Sequence, residues 1–129
     1  MPGGIVVGVG VDAVEVERFR QVLARRPRLL QRLFTPAERD EAAARHDPTP
    51  GLAARFAAKE AVMKSLSVGL GAFEFVDVEV VRRPGGGGAP GLTLSGRAAG
   101  LAAERSVAGW HLSLTHTASV AVAIAVAYA

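Results

Sequence analysis

A short β-branched run, Ile5 to Val11, is followed by a succession of helix-period segments, and from Phe73 onward the apolar residues alternate with a period of two. This order restricts the fold more than any other feature of the chain. DAVEVERFRQVLARRPRLLQRLF carries Val14, Phe19, Leu23, Leu30 and Leu33 in roughly helical register, and Pro27 divides it into two helices. TPAERDEAAARH opens a further helix, with Thr35 as N-cap, Pro36 at the first helical position and Glu38 completing a capping box. DPTPG reads as a loop. The helix containing RFAAKEAVMKSL, Arg55 to Leu66, follows it and ends near SVGLG. FVDVEVV and LTLSG read as strands joined by a flexible turn, RRPGGGGAPG; an Ala-rich helix from Arg97 to Arg105 leads to a last pair of strands, WHLSLTH and SVAVAIAVAYA. A strand, several helices and then β-β-α-β-β is an α+β pattern, with helices packed on a largely antiparallel sheet.

The 129 residues form one expected domain, residues 1–129, with no repeat and no composition break. Gly8 and Gly10 in the first strand allow another backbone to approach closely. In the last strand Val alternates with Ala rather than with polar residues, so both faces are expected to be covered, one of them by another subunit.

Several function classes are excluded by composition. There is no cysteine, hence no disulfide framework, thiolate metal site or Cys nucleophile. The N-terminal apolar run has no basic flank and breaks at Asp12, too short for a signal peptide or a membrane span, so the expectation is a soluble cytoplasmic protein. Fifteen Lys+Arg against 12 Asp+Glu leave a net charge of +3, and no aromatic residue sits in an Arg cluster, which argues against a nucleic-acid binder. Phosphates or an acidic protein face remain suitable partners.

RFAAKEAVMKSL poses the sharpest chemical question. At about 100° per residue, Phe56, Glu60 and Met63 project to one side, so a carboxylate lies in the apolar stripe. An intrahelical ion pair with Lys64 would account for a surface Glu; an inward one must be paired, hydrogen-bonded or metal-bound. Asp12 is equally double in meaning. It is a good N-cap for the next helix, with Glu15 closing a capping box, and it also stands at the carboxyl end of a buried strand, where ligand sites form. Asp12 and Glu60 together are two hard oxygen donors suited to Mg²⁺, and Lys59 and Lys64 beside them supply point charges for phosphate.

His111 and His116 lie five apart on a strand, hence on opposite faces and poorly placed for one metal. Ser113, Thr115 and Thr117 share the His111 face and offer hydroxyl donors to a nucleotide phosphate or to cross-strand neighbours. His46 suits a helix C-terminal cap. The GGGG run at 85–88 lacks a following Lys-Ser/Thr and a helix start, so it is a turn and no phosphate loop. Arg18, Arg25, Arg28 and Arg32 are spaced to form one basic ridge, either a solvated face or a dock for an acidic helix.

GVGVDAVEVERF, RLFTPAE, RFAAKEAVMKSL and WHLSLTHT together resemble the holo-[acyl-carrier-protein] synthases, the small trimeric class of 4′-phosphopantetheinyl transferases, nearly end to end. The resemblance implies Mg²⁺-dependent transfer of the phosphopantetheine arm of coenzyme A to a serine of apo acyl carrier protein, releasing adenosine 3′,5′-bisphosphate. It puts the metal on Asp12 and Glu60 and Lys64 near the diphosphate. It also implies a homotrimer whose active sites lie between adjacent subunits, lined in part by the strand carrying His111. Arg18, Arg28 and Arg32 match the residues that dock the carrier's acidic helix. Some members carry Asp where Thr117 stands, so His116 lacks that supporting carboxylate. The acceptor for the serine proton is Glu60, directly or through a bound water, or His116.

Two other readings use the same residues. A Mg²⁺-dependent phosphohydrolase would split coenzyme A or a nucleotide without any carrier protein. A non-enzymatic oligomeric binding module would use the acids as caps and the arginine ridge to hold an acidic partner.

Overall fold

The computed structural model of the chain describes residues 4–82 and 88–129. Strand β1 (Val6–Glu15) leads into α1 (Val16–Arg25), α2 (Leu29–Leu33), α3 (Pro36–Ala43) and the long α4 (Thr49–Ser65). A 3₁₀ turn (Phe75–Asp77) introduces β2 (Val78–Arg82), followed by β3 (Pro90–Leu94), α5 (Gly96–Glu104), β4 (Gly109–His116) and β5 (Val120–Tyr128). The α+β order read from the sequence is the observed one. The sheet is divided, with an antiparallel three-stranded sheet in the order β1-β5-β4 and a separate β2-β3 hairpin. Most of the GGGG run lies outside the described residues.

The centre of the fold is α4 lying on the three-stranded sheet. Gly8 and Gly10 let it lie close, because a Cβ at either position would stand 1.8 Å from the carbonyl oxygen of Ser65 or Ala61, respectively. Ala121, Ala123, Ala125 and Ala127 continue the same flat surface across β5, all with no exposed area. They explain the Val/Ala alternation: alanines face α4, while the larger residues point the other way. That second face is open in the single chain, with Val9 59%, Val11 54% and Ile124 43% exposed. The expectation that both faces are covered therefore holds within one chain for the alanine face alone.

Local signals set the helix boundaries. Pro27 separates α1 from α2, and Thr35 forms its capping box with Glu38, the Glu38 N–H donating to Thr35 Oγ1 at 3.3 Å and the Thr35 N–H to Glu38 Oε1 at 2.9 Å. DPTPG is only partly a loop: α4 begins at Thr49, whose N–H donates to Asp47 Oδ1 at 3.1 Å. Asp12 caps nothing. β1 pairs with β5 through Asp12↔Ala123 to Glu15↔Val120, so cross-strand pairing carries the strand past the acid, and α1 starts at Val16 without a side-chain cap. No helix among the described residues is long and apolar enough to cross a membrane.

Candidate active site

Because Asp12 stays in the strand, its side chain points to the face on which α4 lies. Lys64, on the last turn of α4, reaches over the free edge of β1 and donates to Val11 O at 2.9 Å and to Asp12 Oδ1 at 3.1 Å. The Asp12 side chain is 13% exposed, whereas Lys64 is half in solvent. Glu60 stands one turn before Lys64 and is half-buried, with neither a hydrogen bond nor an ion pair among the described residues. Burial first, and the Asp12 carboxylate second, push its pKa above the ordinary glutamate value, with Lys64 opposing them. The intrahelical Glu60–Lys64 pair is not formed.

An aromatic wall shares the cleft with these acids. Phe19 stacks on Phe56 with ring centroids 5.1 Å apart, and Phe56 lies 5.4 Å from Phe75. These rings, with Asp12, Glu60 and Arg18, line an open cleft of about 500 Å³. No group of three or more His, Asp or Glu among the described residues is placed to hold a metal. Two carboxylates, one of them without a partner, fit Mg²⁺, which takes one or two protein carboxylates and completes its shell from water and phosphate.

Lys59 must be corrected. It is not available to a ligand: its side chain has no exposed area, and its Nζ donates to Glu38 Oε1 at 2.8 Å, Phe75 O at 3.0 Å and Val78 O at 2.6 Å. Next to Glu60 in sequence, it turns into the core on the other side of the helix. Burial lowers its pKa from the ordinary lysine value, and the Glu38 carboxylate opposes that shift.

The histidines separate as their odd spacing predicts. His111, Ser113 and Thr115 are exposed on the open face of the sheet, in register with Val126, Ile124 and Val122, and His111 stacks on Tyr128 at 4.7 Å. Within one chain they do not line the cleft of the two acids. His116 points to the opposite face and lines a second cleft of about 330 Å³, together with Arg45, Arg55, Arg82 and Asp47. This basic cleft was missed in the sequence, where its arginines lie on three separate segments. Glu41 bridges two of them, pairing with Arg55 at 3.5 Å and with Arg82. Arg55 Nε is buried without a hydrogen-bond partner.

The arginines that the sequence spaces as a basic ridge lie on α1, on α2 and between them. Arg18, Arg25, Arg28 and Arg32 are all exposed and none forms an ion pair among the described residues. Arg20 differs from them, since its guanidinium holds Asp47 through two bonds of 2.9 and 2.8 Å and ties α1 to the start of α4.

Residues 8–125 match the family model of the 4′-phosphopantetheinyl transferase superfamily. The chain belongs to that superfamily. Among its members, a holo-[acyl-carrier-protein] synthase from Frankia casuarinae is 52% identical over 122 residues, covering 95% of this chain and 97% of that protein. One from Moorella thermoacetica is 47% identical over 116 residues, covering 90% of this chain and 89% of its own. Two solved phosphopantetheinyl transferase structures share the fold. The holo-[acyl-carrier-protein] synthase of Neisseria meningitidis superposes with a TM-score of 0.85 at 26% identity, covering 95% of this chain and 98% of that chain. The synthase of Bacillus anthracis, in complex with CoA (3′,5′-ADP), gives 0.78 at 32% identity, covering 98% of this chain and 99% of that one.

Proposed function

We propose that this transferase moves the 4′-phosphopantetheine group of coenzyme A onto a serine of apo acyl carrier protein, with Asp12 and Glu60 holding Mg²⁺. The observation that carries this reading is Glu60: a half-buried carboxylate with no partner, beside a second carboxylate and a lysine, at the mouth of a cleft. A metal bound there would neutralise charge on the coenzyme A diphosphate.

The residues of the chain divide the remaining work. Lys64, exposed and held only to the Asp12 edge, turns its ammonium to the diphosphate when substrate arrives. The serine Oγ attacks the phosphorus that carries the pantetheine arm, a new P–O bond forms, and the bond to adenosine 3′,5′-bisphosphate breaks. The bisphosphate leaves with the electron pair, and Glu60 accepts the serine proton; His116, across α4, is the acceptor only if another subunit brings it to the acids. The phosphorylated adenosine end suits the second cleft as a neighbouring subunit would present it beside the acids, with Arg45, Arg55, Arg82 and His116 facing one space. Arg18, Arg28 and Arg32 dock the acidic helix of the carrier protein.

The protein acts as a homotrimer in the cytoplasm. Support comes from the open face of the β1-β5-β4 sheet, where exposed Val9, Val11 and Ile124 form an apolar surface that calls for cover. His111, Ser113 and Thr115 share that face and would line a neighbour's cleft.

The test is to incubate the protein with apo acyl carrier protein, coenzyme A and Mg²⁺ and to follow the carrier's intact mass. A gain of one phosphopantetheine, lost with EDTA and in Asp12→Ala, is expected. Breakdown of coenzyme A with no gain on the carrier would replace the reading with a phosphohydrolase. No chemistry at all would leave a binding module.

A further inference from the structure

Glu38 and Lys59 form a fully buried ion pair, with no exposed side-chain area on either partner. Nearly every bonding position of the pair is directed at backbone. Glu38 Oε1 accepts from the Thr35 N–H at 2.9 Å, and Oε2 accepts from the Val80 N–H at 3.0 Å. Lys59 Nζ holds the carbonyls of Phe75 and Val78. The start of α3, the middle of α4 and the entry to β2 therefore meet at one point.

The charge attraction itself is a poor explanation for such a pair, because desolvating two charges offsets most of it. The backbone groups that the pair satisfies do need partners, since a buried N–H or carbonyl left unpaired is costly. What the pair supplies is geometry. Phe75, whose carbonyl it holds, is the outer ring of the wall on which Phe56 and Glu60 lie. Lys59 immediately precedes Glu60, so anchoring it also sets the rotation of α4 that turns Glu60 toward Asp12.

We propose that Glu38 and Lys59 are positioning residues for the transfer: by tying Phe75 and Val78 to α4, they set where Glu60 stands relative to Asp12. This rests on the reading of Asp12 and Glu60 as the metal-binding acids. Neither Glu38 nor Lys59 touches substrate.

The double substitution Glu38→Leu/Lys59→Met removes both charges and keeps the volume. It is expected to melt below the parent, because the Thr35 and Val80 N–H groups and the Phe75 and Val78 carbonyls lose a buried partner; at a temperature where both proteins are folded, kcat is lower by about 30-fold and each KM stays within about twofold, as for a misplaced group and an intact binding surface. Mg²⁺ affinity, read by calorimetric titration, falls by about tenfold. A folded double variant with the parent's kcat overturns the proposal. If that variant does not fold, Phe75→Leu trims the wall and leaves the pair in place; it must show the same kcat-selective loss, and a parent-like kcat overturns the proposal. If the parent itself transfers nothing, the functional reading fails separately, and equal Mg²⁺ affinities of parent and double variant overturn the positioning role.

Discussion

Lys64 donates to Asp12 at 3.1 Å across the edge of β1, and not to Glu60, its neighbour one turn back on the same helix. The cluster is thereby asymmetric: one acid is neutralised and the other is left desolvated and unpaired. Lys64 is a stand-in cation on Asp12, competing with any metal for that carboxylate. Lys64→Met is therefore expected to bind Mg²⁺ more tightly without substrate, by about threefold, since a competing charge is gone. Turnover moves the other way, falling by at least about tenfold with the loss of a cation from the diphosphate. Calorimetric titration and a transfer assay on the same protein check the opposite signs.

Close packing of α4 on β1 makes a sharp stability prediction. Gly10→Ala puts a Cβ 1.8 Å from Ala61 O, between two backbones that cannot yield separately. The expected loss is about 3 kcal/mol or more by denaturant titration. Gly69→Ala, where a Cβ meets nothing within 4 Å, is the control and stays within about 0.5 kcal/mol of the parent.

Asp47 provides the pH dependence. Its hydrogen bonds from Arg20 first, then from the Thr49 backbone, lower its pKa from 3.8 to about 2. A carboxylate depressed in the folded state contributes stability above its unfolded pKa and loses it as pH falls through the folded one. Asp47→Asn is expected to melt below the parent at pH 7, and the two melting curves should converge between about pH 4 and 2. A constant gap down to pH 2 would show that the Arg20 contact is not the source.

Charge reversal on the ridge separates docking from chemistry. Arg28→Glu, on an exposed and unpaired side chain, is expected to raise the KM for apo carrier protein by about tenfold and to flatten its salt dependence. The KM for coenzyme A and the melting temperature should not move.

Much of this was legible in the sequence because it is local. Gly8 and Gly10 announced a close backbone approach, Thr35-Pro36-Glu38 its capping box, Pro27 a break, and the odd spacing of His111 and His116 their separation. What escaped depends on partners far along the chain. Asp12 resembles a cap until β5 pairs with β1 and extends the strand. Lys59 resembles a phosphate ligand until Glu38, 21 residues earlier, claims it in the core. The basic cleft joins Arg45, Arg55, Arg82 and His116 from a loop, a helix and two strands, and no spacing links them. Glu60 in the apolar stripe was the right anomaly to notice. α4 is buried on nearly every side, and Glu60 marks where it opens to the cleft.

The central claim is that Glu60 is there for the metal and the diphosphate. Glu60→Gln keeps the shape and removes a half-buried charge facing Asp12. It should fold and melt about 2 °C above the parent, a small gain because half of the side chain is solvated. The deciding measurement is the rate of mass gain on apo acyl carrier protein with coenzyme A across a Mg²⁺ titration. Glu60→Gln is expected to be slower by at least about 100-fold, with a weakened Mg²⁺ dependence. A folded Glu60→Gln that transfers at the parent's rate and Mg²⁺ concentration would contradict that claim.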